Sequence, residues 1–227
     1  VPVKSFARAK QRLGGLLSCE EREALAHAML KDVLSALADA PSLAEIAVIT
    51  GDAEANAMAR AAGARVIADT DDAGETAAVT LAAQRLSVTG HQGIVIVPTD
   101  VPLITSADIE ALAAAHRPAP SLTLVPATGD GGTNALVCSP PQLIPFAFGE
   151  DSFRKHGDAA RARGIDPVIL HLERLGCDID RPEDVASFLL RASATHTYRY
   201  LSAIKVPERL RFAREKAGDI LRAEQLH

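Results

Sequence analysis

Gly93-Ile94-Val95-Ile96-Val97-Pro98-Thr99-Asp100-Val101-Pro102 is the stretch that decides the fold. Ile94 to Val97 are β-branched and apolar without a polar break, the pattern of a strand covered on both faces and typical of the centre of a parallel sheet. Pro98 and Pro102 then stop the strand and stiffen the turn that carries Asp100, because proline cannot extend a hydrogen-bonded ladder. Outward from this point the same grammar repeats. Short apolar runs stand at Ile46 to Thr50, Arg65 to Ala68, Leu122 to Val125, Asn134 to Val137 and Val168 to Leu170, with a last strand segment ending at Asp178-Ile179-Asp180.

Helical patterns fill the gaps between them. Ser18 followed by Glu21 is a capping box that opens a helix to about Ala38, with Leu25, Ala28, Met29, Val33 and Leu37 on its apolar face. Further helices are expected over Glu54 to Ala62, Glu75 to Thr89, Asp108 to His116 behind a cap at Ser106, and Phe153 to Arg163. Pro182 at a first helical position, with Glu183 and Asp184 in the first turn, opens another to about Arg191. Strands alternating with helices of this length imply right-handed crossovers and an open, mostly parallel α/β sheet between helical layers, an α/β/α arrangement. One domain over residues 1–191 and a charged, helical extension over 192–227 are expected.

Bulk composition narrows the function. The 227 residues are 48% hydrophobic and 23% charged with a net charge of −5, which suits a globular domain and argues against a general nucleic-acid binder. Cys19, Cys138 and Cys177 are odd in number and far apart, forming neither a disulfide framework nor a metal-ligand spacing, so a reducing cytoplasm is expected. No apolar run approaches the length of a membrane span. The chain opens without Met at what reads as the end of a strand, so a few residues upstream are expected.

Ligands of an open parallel sheet bind beyond the carboxyl ends of its strands. Lys4, Arg8, Lys10 and Arg12 fall directly after the first strand, and four cations there suit a triphosphate and its leaving pyrophosphate; a solvated basic loop is the plainer reading. Asp100, at the end of its strand, is placed to hold a hard cation such as Mg2+, or simply to cap its turn. In Asp178-Ile179-Asp180 strand alternation puts both carboxylates on one face, with Asp178 on the metal and Asp180 beside it or capping the following helix. Gly129 to Asn134 is a glycine-rich loop with Thr133 and Asn134 as hydrogen-bonding groups. Gly149 and Ser152 mark a loop-to-helix junction whose N–H groups favour an anion, and His156 lies in that helix, facing either substrate or solvent. With no Ser/His/Asp or Cys/His arrangement, positioning and electrostatics are left to drive a displacement at phosphorus.

Several of these residues fall into ordered blocks: Val1-Pro2-Val3-Lys4, Ala9-Lys10-Gln11-Arg12-Leu13, Pro98-Thr99-Asp100-Val101-Pro102-Leu103, Gly132-Thr133-Asn134-Ala135-Leu136, Phe148-Gly149-x-x-Ser152-Phe153-x-x-His156, and Asp178-Ile179-Asp180-x-Pro182-Glu183-Asp184. Together, over about residues 1 to 190, they resemble the 2-phospho-L-lactate guanylyltransferase family. The resemblance implies a Rossmann-like nucleotidyltransferase fold and transfer of GMP from GTP to 2-phospho-L-lactate, phosphoenolpyruvate or 3-phospho-D-glycerate, on the route to the deazaflavin coenzyme F-420. It implies that Lys4, Lys10 and Arg12 meet the triphosphate and that Asp100 with Asp178 or Asp180 holds magnesium. Thr133, Gly149 and Ser152 would then hold the acceptor acid. Many relatives carry Gly-Leu-Asn-Ala-Ala where this chain has Gly74-Glu75-Thr76-Ala77-Ala78, so Gly74 and Thr76 are expected near the base or the acceptor with an acidic Glu75 between them. The tail beyond residue 192 is longer than the resemblance suggests, which leaves a homodimer built through it open. Two alternatives stand beside this reading: a nucleotidyltransferase of the same fold with another NTP or a sugar-phosphate acceptor, and a non-catalytic nucleotide-binding regulator.

Overall fold

The computed structural model describes residues 1–129 and 131–211. Among these residues seven strands are laid out in two hydrogen-bonded sheets. The first has the order β1-β2-β3, from Pro2–Val3, Ala47–Thr50 and Arg65–Ala68, all parallel. The second has the order β4-β6-β5-β7, from Ile94–Ile96, Thr133–Ser139, Ser121–Pro126 and Val168–Ile169. Here β6 runs antiparallel to both β4 and β5, while β7 is parallel to β5. The apolar run that suggests a central parallel strand is therefore paired with an antiparallel neighbour, Ile94 opposite Cys138 and Ile96 opposite Leu136. Its composition reports burial on two faces, and burial carries no information about strand direction.

Strand alternation sorts the core into layers. Ile49, Ile67, Ile94, Ile96, Leu122, Leu124, Leu136 and Cys138 point to one face, where α3 (Glu75–Val88) and α5 (Ser152–Arg161) cover them. Val97, Val125, Ala135 and Val137 point to the other, against α1 (Cys19–Ala38) and α4 (Ser106–Ala115). Val48 joins α1, α2 (Ala53–Ala61), α6 (Pro182–Leu189) and α7 (His196–Ala203) on that same side. Because α3 packs on β1, β2 and β4 alike, both sheets share one helical cover. This is the α/β/α layering that the sequence pattern predicts.

Local signals set most of the boundaries. Ser18 and Glu21 close the expected capping box, and Leu25, Met29 and Leu30 are fully buried below it, each worth about 1.5–3 kcal/mol in apolar burial. The cap of α4 is Thr105 rather than Ser106, with Asp108 Oδ2 accepting from the Thr105 N–H at 2.9 Å. Nor does Asp180 cap α6: the carboxylate of Asp184 accepts from the N–H groups of Asp180 at 3.0 Å and Arg181 at 2.7 Å. Residues 178–180 form no strand, and the Ile179 N–H instead donates to the Asp100 carbonyl at 2.9 Å. Within the tail, Asp32 of α1 accepts from the N–H groups of His196 and Thr197, so α7 lies against α1 with Leu201 buried. The rest of the expected tail helix, residues 212–227, lies outside the described residues, as does Asp130. Among the described residues no helix is long and apolar enough to cross a membrane.

Candidate active site

The carboxyl ends of β1 and β4 and the amino end of the reversed strand β6 open on the same side. Gly51 after β2 shapes this edge: a Cβ there would meet the Asp69 carbonyl at 2.5 Å, so only glycine lets the chains leaving β2 and β3 approach this closely. Asp52 follows, accepting from the N–H groups of Glu54 and Ala55 to cap α2 and from the Phe6 N–H at 3.1 Å. One carboxylate thus anchors the start of the basic loop. Sequence reading does not single it out as a site residue, although its place at a strand end is the signal that could have.

Each cation of that loop meets a carboxylate brought in from elsewhere. Lys4 Nζ lies 3.5 Å from Glu75 Oε2, and Arg8 pairs with Asp72. Lys10, in the left-handed region at φ 51°, turns its side chain inward until the ammonium sits 2.9 Å from Asp100 Oδ2 and 2.6 Å from Asp180 Oδ1. Arg12 reaches the other Asp180 oxygen at 3.6 Å. Burial by itself would pull the Lys10 ammonium down, but Asp100 and Asp180 outweigh it and hold it above its ordinary value. For Asp180 burial is likewise overcome, here by Lys10 and then Arg12 and Lys4, and its carboxyl lies below the usual range.

Asp178 differs. Burial, reinforced by the charges of Asp100 and Asp180, pushes its carboxyl up against the pull of the Asn134 side-chain amide, which donates to it at 2.9 Å. Two carboxylates on one ammonium, with Asp178 close enough to feel the charge of both, leave an excess of negative charge, and the donors are all oxygen. That set fits a hard divalent cation such as magnesium. Both oxygens of Asp180 face cations, whereas only one oxygen of Asp100 does, so Asp100 and Asp178 are the carboxylates that could take a metal more readily.

Glu75, which opens α3 behind the N-cap Gly74 at φ 96°, adds a fourth carboxylate. Burial and Asp100 push it up, while Lys4 pulls it down. Thr76 beside it accepts from the Phe148 N–H at 2.9 Å and so ties this turn to the Phe148-Gly149 loop.

His156, Thr133 and Ser152 form a buried hydrogen-bonded chain. His156 has no exposed surface, and its Nε2 accepts from the Ala147 N–H at 2.9 Å. The ring proton is thereby fixed on Nδ1, which donates to Thr133 Oγ1 at 3.1 Å. Ser152 Oγ donates to the same oxygen at 3.3 Å. Burial, helped by Lys155, lowers the His156 pKa to about 4, so the ring is neutral. Gly149, at φ 106°, accepts from the Ser152 N–H at 3.1 Å, and the Phe153 N–H donates to the Gly131 carbonyl at 3.0 Å. Two N–H groups at the start of α5 are therefore already satisfied within the protein. The predicted residues thus fall into separate contacting sets: Ser152, Thr133 and His156 in one, Asn134 with Asp178 in another, and Lys10 with Asp100, Asp180 and Arg12 in a third.

The chain as a whole is similar to known proteins. A family model described as "Guanylyl transferase CofC like" matches residues 1–219. A phosphoenolpyruvate guanylyltransferase of Roseiflexus sp. (strain RS-1) is 40% identical over 185 residues, covering 82% of this chain and 81% of the relative. A 2-phospho-L-lactate guanylyltransferase of Methanothermobacter thermautotrophicus is 32% identical, covering 90% of this chain and 89% of the relative. A 3-phospho-D-glycerate guanylyltransferase of Colwellia psychrerythraea is 34% identical, with coverages of 85% and 91%. Among solved structures, a nucleotide-diphospho-sugar transferase from Desulfovibrio desulfuricans G20 superposes with a TM-score of 0.72 at 18% identity, over 89% of this chain and 92% of that one, a likeness of fold. The chain is a nucleotidyltransferase and belongs to the CofC-like guanylyl transferase family.

Proposed function

We propose that the protein transfers GMP from GTP to a three-carbon phosphorylated carboxylic acid, one of phosphoenolpyruvate, 2-phospho-L-lactate or 3-phospho-D-glycerate, releasing pyrophosphate on the route to coenzyme F-420. The observation that carries this is the Lys10 ammonium held between Asp100 and Asp180 at the strand ends. An oxygen of the acceptor phosphate attacks the α-phosphorus of GTP in line, and the bond from that phosphorus to the bridging oxygen of pyrophosphate breaks. The electron pair leaves with pyrophosphate, and the product carries a new phosphate anhydride. The acceptor phosphate is already ionised at neutral pH, so no general base is required. Positioning and charge stabilisation carry the step.

In this reading the loop cations exchange carboxylates for phosphate oxygens as nucleotide enters. Lys4, Arg8 and Arg12 are exposed enough to do so freely, whereas Lys10 stays anchored and aims its charge. Asp100 and Asp178 would hold Mg2+, which when bound neutralises phosphate oxygens and draws charge from the α-phosphorus. The turn of Gly74 and Thr76 shapes the nucleotide side. Thr133, Asn134, Gly149 and Ser152 line the acceptor side, and His156, buried behind Thr133, orients its hydroxyl. A cytoplasmic setting agrees with three free cysteines.

The test is pyrophosphate release with each of the four NTPs against a panel of phospho-acids and sugar phosphates. GTP with at least one three-carbon phospho-acid is expected to turn over. Silence of every such pair while another NTP and acceptor react would replace this reading with the sugar-phosphate alternative. Asp100→Asn is expected to abolish turnover, which separates the enzyme from a nucleotide-binding regulator.

A further inference from the structure

Away from these carboxylates, Glu23 and His27 stand one turn apart on α1, and Glu54 in the first turn of α2 comes up to them. One carboxylate oxygen of each glutamate and one ring nitrogen of His27 all lie within 4.8 Å of one another. Among the described residues this is the group in which three His, Cys, Asp or Glu side chains bring ligand atoms together in this way; Asp100 and Asp180 are instead bridged by Lys10.

A second observation concerns His27 itself. Its Nε2 lies 3.0 Å from Glu54 Oε2 at ion-pair distance and is shielded from solvent without an in-line hydrogen bond, although the His27 side chain as a whole is 28% exposed and that of Glu54 65%. A shielded ring nitrogen beside a carboxylate with no proton shared between them is unfavourable, and native structures rarely leave such an atom unmatched. A divalent cation removes the conflict by taking the nitrogen lone pair and the two carboxylates together. Imidazole nitrogen with two carboxylate oxygens suits zinc, cobalt or manganese, whereas magnesium prefers oxygen donors alone.

We propose that Glu23, His27 and Glu54 form a binding site for a divalent transition-metal ion, separate from the magnesium carboxylates. The site has a route to the nucleotide loop. The His27 ring packs edge-on against Phe6 at 4.1 Å between centroids, and the Phe6 N–H is the group that Asp52 anchors. An ion joining α1 to α2 would brace the start of the basic loop from behind.

The experiment is calorimetric titration of the full chain with Zn2+ in excess Mg2+, paired with thermal melts. One Zn2+ per chain and a raised melting temperature are expected. His27→Gln and Glu54→Gln, with folding checked by circular dichroism, should weaken Zn2+ binding at least about tenfold and lose the thermal shift. The Asp100→Asn/Asp178→Asn double variant should bind Zn2+ as the parent does. No binding to the parent chain, binding unchanged in both His27→Gln and Glu54→Gln, or binding lost in the Asp100/Asp178 variant would each overturn the proposal.

Discussion

Lys10 and Asp180 stand 170 positions apart in the chain and 2.6 Å apart in the fold, with the ammonium also 2.9 Å from Asp100. One buried cation therefore bridges two carboxylates that would otherwise repel each other. Lys10→Met should cut kcat/KM by about 100- to 1,000-fold, the loss typical for a preorganised charge at a reacting centre. Lys10→Arg should not restore it, since a planar fork does not replace a compact ammonium between two oxygens. Arg12→Ala, which removes a more exposed and distant charge, should cost much less. Steady-state pyrophosphate assays would read all three; a Lys10→Met enzyme of near-parental rate would be incompatible with a charge-stabilising role for Lys10.

Thr133 accepts from both His156 and Ser152. Thr133→Val keeps the shape but strands two donors in a buried site, a loss of about 1–3 kcal/mol. Chemical denaturation should show that loss, and KM for the phospho-acid should rise more than KM for GTP.

His156 makes stability depend on pH. Its folded pKa of about 4 lies below the ordinary 6.5, so the unfolded chain binds the proton more readily between these values. The neutral ring's contribution is complete above about pH 6.5 and is lost as pH falls toward 4, on the order of 3 kcal/mol in all. His156→Gln should flatten that part of the stability profile in urea titrations at about pH 7 and 4.5. A slope unchanged by the substitution would count against a buried neutral ring.

Asp108 provides a test remote from the site. Buried at 3% exposure, it accepts from Arg174 at 2.8 and 2.9 Å and holds Thr105 at the start of α4. Asp108→Ala should lower unfolding free energy by about 3 kcal/mol while leaving kcat/KM within roughly twofold. A large fall in kcat/KM with stability preserved would point to an unrecognised role in turnover.

Chelation should abolish activity, and added Mg2+ should restore it. Asp178→Asn should raise the Mg2+ concentration needed for half-maximal rate by about tenfold or more, because it removes one of two proposed ligands. An unchanged requirement would shift the ligand role to Asp180.

Much of this protein is written locally. Ser18 and Glu21 cap α1 because the interaction spans three residues, and Pro182 with Asp184 begins α6 for the same reason. Alternation in the strands specifies the layers, since a side chain's face depends only on its parity. The basic loop and the strand-end carboxylates are likewise legible as types of residue at the right end of a sheet. Pairing is not. An apolar run such as Ile94 to Val97 records that both faces are covered, but not that its neighbour β6 runs backward. Residues 178–180 alternate like a strand and yet form none, because their partner is a single carbonyl of Asp100. Glu75 reads as an odd acidic residue until the fold sets it beside Lys4, and Asp52 is not singled out until the fold has it anchor Phe6. The order of residues along the chain is enough to specify the α/β layers, the cationic loop and the acidic strand ends. Which cation faces which carboxylate is settled only in the folded molecule, because crossovers bring together charges that no local periodicity connects.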